Sequence, residues 1–375
     1  MVSESAGAAS VQVLVVDDSA VVRQAVAAAV RAEPDMHVVG VASNGRSALE
    51  LLRHQTPDVI VLDLEMPVMD GMEFLVELRN MRSRIPVIVF SALTSQGAVA
   101  TLAALAAGAD AYALKPTALR GSDHGTSAGE LIPLIRALAN PTTPRAVTAR
   151  RRQQQKAAGV NGAVGGTSPA QLAPIPSRFN ARISAVVIGV STGGPNALAE
   201  LIPALPADLP VPVLVVQHMP AVFTKLLAER LDGLSKLRVV EADDGMVVGR
   251  GTVYIAPGGR HMAVRASGDA VVIALNDDPP ENSCRPAADV LFRSAPAAFG
   301  AAVLGVVLTG MGSDGTAGAL AIAAAGGLVL VQEPSTAVVG SMPSSVLAAG
   351  VPAVSYSLAE LSAEIERRTR GPFSS

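Results

Sequence analysis

Short apolar runs alternate with longer amphipathic segments through the first third of the chain. An apolar run of four to eight residues is typical of a buried strand, whereas apolar residues recurring every three to four positions indicate a helix. The five predicted strands are Val11–Val16, His37–Ala42, Val59–Leu62, Pro86–Phe90 and Ala111–Leu114. A regular alternation of strand and helix predicts a doubly wound α/β domain with a parallel sheet.

The same pattern resumes near residue 182 and predicts a second, larger parallel-sheet domain, a Rossmann-like three-layer α/β/α arrangement. Its predicted strands are Ser184–Val190, Val211–Gln217, Thr252–Ala256, Val271–Leu275, Val303–Thr309 and Leu328–Val331. The intervening stretch contains six basic residues, no acidic residue, and many Gly, Gln and Pro residues. Because it has too few apolar side chains to build a core, it predicts a flexible linker. The predicted division is therefore 11–138, a basic linker 139–181, and 182–370.

Composition narrows the range of partners. The chain has 375 residues, with 29 basic and 32 acidic side chains and a net charge of −3, so no bias toward nucleic acid or anionic membranes is visible. The single cysteine, Cys284, excludes an intrachain disulfide and fits a reducing compartment. Met1–Ser10 lacks the features of a secretory signal, and Ala317–Val331 is interrupted by glycines. We expect a cytoplasmic protein with no nucleic-acid partner and no membrane insertion.

Three aspartates are predicted to meet at one edge of the first sheet. Asp17 and Asp18 end the first strand and Asp63 ends the third, and the carboxyl ends of parallel strands share an edge. Carboxylate oxygens are preferred ligands of Mg²⁺. Ser91 and Lys115 follow the fourth and fifth strands. A carboxylate, a cation, a hydroxyl and an ammonium together predict a site that holds a phosphoryl group on an aspartate.

The motifs at this edge resemble those of response-regulator receiver domains. They are Val16–Ser19, Val61–Gly71, Ser91 and Tyr112–Pro116, and the resemblance covers about Val11 to Leu138. It implies a five-stranded flavodoxin-like fold, phosphorylation by a histidine kinase, and Mg²⁺ as the cofactor. It also implies a role for each matched residue: Asp63 as phosphoacceptor, Asp17, Asp18 and Asp63 as metal ligands, Ser91 and Tyr112 as the phosphorylation switch, and Lys115 on the phosphoryl oxygens. Lys115–Pro116 is a candidate cis peptide bond.

Ser191 is the candidate nucleophile of the second domain. It lies in Gly189–Gly194, directly after a predicted strand and before a predicted helix. A serine at such a turn stands clear of the sheet beside backbone N–H groups, which suits attack on a carbonyl and stabilisation of an oxyanion. Glycine-rich strand–helix turns also bind phosphates, so the motif alone leaves both interpretations open.

Candidate partners for Ser191 follow two other strands. His218 ends the strand after the one that carries Ser191, and Asp314 lies in the glycine-rich turn Gly310–Gly315. His261 could line the cleft instead, and Asp314 could simply cap the next helix. The order Ser, His, Asp differs from that of α/β-hydrolases, in which the acid precedes the histidine. The predicted fold is therefore a different one.

The second domain resembles the catalytic domain of the CheB family of chemotaxis protein-glutamate methylesterases. The resemblance rests on Ile188–Pro195, Gln217–Pro220, Val253–Gly258, Arg285–Phe292 and Leu308–Gly315. It implies Ser191 as nucleophile, His218 as base and Asp314 as orienting acid, with Thr192 and the backbone near Met311 supporting the oxyanion.

The implied activity is hydrolysis of glutamyl methyl esters on the cytoplasmic helices of chemoreceptors, with deamidation of receptor glutamines and no cofactor in the esterase site. Two other functions fit the residues: a receiver-controlled binding protein without turnover, and a hydrolase of the same fold acting on another protein ester or amide.

Overall fold

The structure is a computed structural model that describes residues 10–116, 126–139 and 182–370. These residues fall into two compact units, one on each side of residues 140–181, and each unit is described by itself. Of the predicted basic linker, 139–181, residues 140–181 lie outside the described ranges, as does the N-terminal segment up to residue 9, whereas Ala139 is described as the end of a helix.

The first unit is a five-stranded parallel sheet with helices between its strands. The strands are β1 (Val11–Val16), β2 (Met36–Ala42), β3 (Val59–Leu62), β4 (Val87–Ser91) and β5 (Ala111–Leu114). Their order in the sheet is β2-β1-β3-β4-β5. The helices are α1 (Ala20–Arg31), α2 (Gly45–Leu51), α3 (Gly71–Asn80), α4 (Ser95–Ala106) and α5 (Thr126–Ala139). The predicted doubly wound sheet is confirmed, with three of the five strands at the predicted bounds.

Side-chain caps define where the first four helices begin. Ser19, Asn44, Asp70 and Thr94 each accept a hydrogen bond from a backbone N–H in the first turn of the helix that follows. The backbone N–H of Asp70 in turn donates to Glu73 Oε2 at 3.1 Å, which completes a capping box. These caps place the turns after β1 and β3, which carry the acidic residues of the pocket.

The second unit is a seven-stranded parallel sheet in the order β14-β13-β12-β6-β7-β9-β8. A separate antiparallel hairpin consists of β10 and β11. The strands are β6 (Ala185–Val190), β7 (Val213–Gln217), β8 (Arg238–Glu241), β9 (Thr252–Ile255), β10 (His261–Ser267), β11 (Ala270–Asn276), β12 (Val303–Val307), β13 (Leu328–Gln332) and β14 (Ala353–Tyr356). The helices are α6 (Gly194–Ala204), α7 (Ala221–Leu234), α8 (Ala288–Phe299), α9 (Thr316–Ala324), α10 (Ser341–Ala348) and α11 (Leu358–Arg370). None of the described helices is both long and apolar enough to cross a membrane.

Three details differ from the sequence-based expectation. The predicted strand Val271–Leu275 belongs to the hairpin rather than to the main sheet, because Gly268, with φ 59°, allows a tight turn back onto His261–Ser267. The two edge strands, β8 and β14, were not predicted, since both are short and only partly buried. The single cis peptide bond in the described ranges is Arg285–Pro286, not Lys115–Pro116.

The sheet register brings the candidate nucleophile and base side by side. Strand β6 lies between β12 and β7, and Val190 is paired with Gln217 at the carboxyl end of the β6–β7 ladder. The next residues along the two strands are Ser191 and His218. Neighbouring strands lie about 5 Å apart, so both residues occupy the same short stretch of the carboxyl edge.

Candidate active site and phosphorylation pocket

The turn that carries Ser191 is held by backbone hydrogen bonds on both sides. Ser191 N donates to Thr309 O at 3.0 Å, and Gly194 N donates to Ser191 O at 2.8 Å. Gly193 has φ 78°, a left-handed conformation that favours glycine. The turn therefore leads directly from β6 into α6, as the glycine-rich motif predicts.

A second glycine, Gly310, is required because the segment after β12 packs closely against the Ser191 turn. A Cβ atom on Gly310 would lie 2.8 Å from Ser191 Cβ and closer still to the Met342 sulfur. Gly310 follows β12, the strand on the other side of β6. The absence of a side chain there lets the segment that bears Asp314 approach the Ser191 turn.

His218 and Asp314 form a direct pair. His218 Nε2 lies 2.7 Å from Asp314 Oδ2, and the Asp314 side chain is 2% exposed. Because Asp314 occupies Nε2, Nδ1 is the imidazole nitrogen left for proton transfer. A buried carboxylate in this place fixes the tautomer of the histidine and stabilises the imidazolium.

Asp314 is ionised at neutral pH because several donors surround it. Ala288 N donates to Oδ2 at 2.6 Å, and Asp289 N donates to Oδ1 at 3.0 Å, so the carboxylate caps the start of α8. Gly315 N also donates to Oδ1. Burial acts to raise the pKa of Asp314, but the hydrogen bond to His218 and these backbone bonds outweigh it and lower the pKa below its usual value.

The imidazole of His218 is correspondingly basic. Burial acts to lower its pKa, yet the hydrogen bonds to Asp314 and Cys284 dominate and raise the pKa to about 9. Cys284 Sγ lies 3.4 Å from His218 Nδ1. The sequence offered no sign of this contact, because Cys284 lies in a polar loop 66 residues from His218.

Ser191 Oγ makes no hydrogen bond to His218 within the described ranges. Catalytic hydrogen bonds are often long or unaligned without substrate, so the adjoining strand ends remain the relevant geometry. The Gln217 side chain links the backbones of Ser191 and His218. Its Nε2 donates to Ser191 O at 3.0 Å and to His218 O at 3.2 Å.

Thr192 and Met311, the predicted oxyanion supports, lie on the turns after β6 and β12. Thr192 O accepts a hydrogen bond from Thr309 Oγ1 at 2.8 Å, which fixes the turn. Within the described residues no protein acceptor takes the N–H of Thr192 or of Met311. Both N–H groups can therefore be offered to a substrate oxygen.

His261 does not line the cleft. It is 1% exposed, its Nε2 lies 3.1 Å from Pro279 O, and its Nδ1 accepts a hydrogen bond from Ala287 N at 3.2 Å. The Ala287 N–H bond defines the tautomer with the proton on Nε2. His261 therefore ties both ends of the segment from Pro279 to Ala287, which carries Cys284.

The acidic pocket of the first unit is assembled as predicted. One ligand oxygen from each of Asp17, Asp18 and Asp63 lies within 4.8 Å of the others. Lys115 Nζ lies 2.7 Å from Asp63 Oδ2 and 2.9 Å from Asp17 Oδ2. Burial raises the pKa of Asp63, an effect that Lys115 reduces and Asp17 increases. Hard oxygen ligands clustered in this way fit a divalent cation.

Ser91 and Tyr112 lie on the neighbouring strands of this edge. Ser91 is 4% exposed and its hydroxyl donates to Gly97 O at 3.3 Å. Tyr112 is partly buried on β5, and burial raises the pKa of its phenol. The structure thus places Asp17, Asp18, Asp63, Ser91 and Lys115 at the carboxyl ends of β1, β3, β4 and β5, whereas Tyr112 lies within β5, opposite Val89.

A serine beside a His–Asp pair in one unit, and an aspartate pocket with a bridging lysine in the other, are the features of a serine hydrolase that carries a receiver domain. Family profiles agree: the one described as CheB methylesterase matches residues 186–365, and the one described as response regulator receiver domain matches residues 13–121.

Relatives are similar to this chain over nearly their full length. A protein-glutamate methylesterase/protein-glutamine glutaminase of Nocardioides sp. is 45% identical over 96% of this chain and 95% of that protein. One of Trichodesmium erythraeum is 42% identical over 95% of this chain and 98% of that protein. The crystal structure of the Thermotoga maritima CheB methylesterase catalytic domain is 42% identical, covering 49% of this chain and 97% of that one, with a TM-score of 0.48. The chain belongs to the CheB family of receiver-coupled protein-glutamate methylesterases.

Proposed function

We propose that this chain is a phosphorylation-activated protein-glutamate methylesterase and protein-glutamine glutaminase in which Ser191, His218 and Asp314 form the catalytic triad. The observation that carries the proposal is the 2.7 Å contact between His218, which follows β7, and Asp314, which follows β12. These two strands flank β6, the strand that leads into Ser191. A buried His–Asp pair beside a serine at a strand–helix turn is the arrangement that activates a hydroxyl for acyl transfer.

The reaction follows from these positions. Ser191 Oγ attacks the γ-carbonyl carbon of a glutamyl methyl ester while His218 Nδ1 accepts the hydroxyl proton. The N–H groups of Thr192 and Met311 stabilise the oxyanion. The proton passes from His218 to the departing methoxide, and methanol leaves. Water, activated by His218, then attacks the acyl-enzyme and releases glutamate; a glutamine side chain would lose ammonia by the same steps.

Control by phosphorylation is assigned to the aspartate pocket. Asp63 accepts the phosphoryl group, Lys115 contacts its oxygens, and Ser91 and Tyr112 report its presence. Asp17, Asp18 and Asp63 would hold the cation, proposed to be Mg²⁺, which would neutralise the charge on the phosphoryl oxygens. Lys115 Nζ already contacts the carboxylates of Asp17 and Asp63, so it is placed to contact a phosphoryl group attached to Asp63.

The proposed partners are a chemotaxis histidine kinase as phosphodonor and the cytoplasmic helices of methyl-accepting chemoreceptors as substrate, which places the enzyme in the cytoplasm. The proposed domain division is 11–138 for the receiver, 139–181 for the linker and 182–370 for the esterase.

An active-site serine probe tests the catalytic assignment. A fluorophosphonate should label wild-type protein at Ser191, and the label should be lost in Ser191→Ala and strongly slowed in His218→Ala. Ser313→Ala, a serine on the neighbouring turn, serves as control and should label normally. Labelling that persists in Ser191→Ala would contradict the assignment and favour a binding protein without turnover.

A further inference from the structure

The Asp314 carboxylate has a second buried carboxylate as its neighbour. Asp289, in the first turn of α8, is 3% exposed, and its Oδ1 accepts a hydrogen bond from Gly318 N at 2.6 Å. Burial raises the pKa of Asp289 and the nearby charge of Asp314 raises it further. Two carboxylates in close proximity repel each other unless a donor or cation lies between them.

One side chain bridges this pair. Asn282 Nδ2 lies 3.0 Å from Asp289 Oδ2 and 3.1 Å from Asp314 Oδ1. An amide nitrogen carries two hydrogens, so it can donate to both carboxylates at once. The other charged groups around Asp314 are His218, Glu281 and Arg293, and Arg293 is paired with Glu281 at 2.5 Å.

The backbone at Asn282 is held in an unusual conformation. Asn282 and Ser283 have φ of 52° and 63°, two successive non-glycine residues in the left-handed region. Such residues cost free energy and persist only where the surroundings enforce them. Here the turn is closed by two backbone hydrogen bonds between Glu281 and Cys284, of 3.0 and 2.8 Å. It brings Asn282 to Asp314 and Cys284 to His218.

We propose that Asn282 is a positioning residue of the esterase, which holds Asp314 against His218 by screening it from Asp289. The inference rests on the proposed role of Asp314 as the acid of the triad. Asn282 acts through Asp314 and does not touch the reacting atoms. Without its amide, Asp314 loses a hydrogen-bond donor and the repulsion from Asp289 bears directly on it, so its contact with His218 is held less rigidly.

Asn282→Ala tests this role in the full chain, with methanol release from methylated receptor as the assay. Because a hydrogen bond to a charged group is removed, kcat should fall about tenfold, with KM unchanged. Loss of a donor makes the carboxylate a stronger base, so the His218–Asp314 pair should take up its proton at higher pH. The acid limb of the kcat profile should therefore move to higher pH, which a general loosening of the loop would not cause.

A second substitution provides the rescue. Asp289→Asn removes the repelling charge while its side-chain oxygen can still accept from Gly318 N. In the Asn282→Ala background it should recover most of kcat and return the acid limb toward the wild-type position. Asn276→Ala, which removes an amide at the end of β11 that contacts neither carboxylate, is the matched control and should behave as wild type.

The outcomes distinguish a failure of the positioning role of Asn282 from a failure of the triad. If Asn282→Ala keeps the wild-type kcat, or if its loss is not recovered by Asp289→Asn, the positioning role is wrong. If Asp314→Asn retains wild-type activity in the same assay, the triad itself is wrong, whatever Asn282 does.

Discussion

Cys284 Sγ lies 3.4 Å from His218 Nδ1, the imidazole nitrogen that Asp314 leaves free for proton transfer. The sulfur therefore contacts the nitrogen that is proposed to accept the proton of Ser191. It also contributes to holding the pKa of His218 at about 9. The only cysteine of the chain is therefore part of the surroundings of the proposed base.

Replacing this sulfur should make the esterase active at lower pH. In wild type, His218 acts as a base only when neutral, so kcat/KM should rise with pH up to about 9. Cys284→Ala removes an interaction that raises the pKa of His218, so the acid limb should move to lower pH. Methanol release measured between about pH 6 and 10 checks both statements. An identical acid limb in the two proteins would show that Cys284 does not influence the base.

Asp314→Asn should lower kcat by about four orders of magnitude, as in other triads whose acid is neutralised. The amide can still accept from the backbone N–H groups at the start of α8, but it no longer stabilises a protonated His218. Asp269→Asn, at the turn of the hairpin far along the sequence from the triad residues, is the control. Single-turnover kinetics measure the effect, and a loss below tenfold would exclude Asp314 as the orienting acid.

Asp18 offers a direct test of the cation site. It is exposed, whereas Asp17 and Asp63 are buried and bound to Lys115. Asp18→Asn should therefore leave the fold intact and weaken Mg²⁺ binding about tenfold or more, because one of three charges that attract the cation is lost. Calorimetric titration measures the affinity, with Asp70→Asn as control because Asp70 only caps α3. Equal affinities would place the cation elsewhere.

Asp63→Asn should abolish activation by a small-molecule phosphodonor while leaving basal esterase activity unchanged. The amide cannot accept a phosphoryl group, and Asp63 is outside the esterase unit. The ratio of methanol-release rates with and without acetyl phosphate is the measurement. Asp70→Asn retains a good helix cap and should be activated like wild type. A normal ratio in Asp63→Asn would mean that another residue accepts the phosphoryl group.

Much of this architecture was accessible from the sequence because both sheets are built from buried apolar runs. Strands β1, β3 and β5 match the predicted bounds, and the strand ends carry the predicted chemistry. The predicted strand Val271–Leu275 was assigned to the main sheet, but it pairs with β10 in a hairpin. The apolar pattern of a strand does not reveal which strand it pairs with. Predicted roles for individual residues remain predictions for the experiments above.

The supporting residues were not predictable in the same way. Asn282 and Cys284 lie in a polar segment that resembles any exposed loop, and their roles depend on contacts with residues 32 and 66 positions away. Asp289 lies in an ordinary first helical turn, where acidic residues are common. Only the folded structure shows that the Asp289 carboxylate lies near the Asp314 carboxylate, which contacts His218.

Methanol release from methylated receptor membranes, with and without acetyl phosphate, tests the central claim most directly. We expect release by wild type to increase with the phosphodonor and to fall by several orders of magnitude in Ser191→Ala under both conditions. Substantial release by Ser191→Ala, or none by wild type in the presence of the phosphodonor, would contradict the claim that Ser191 hydrolyses glutamyl methyl esters under receiver control.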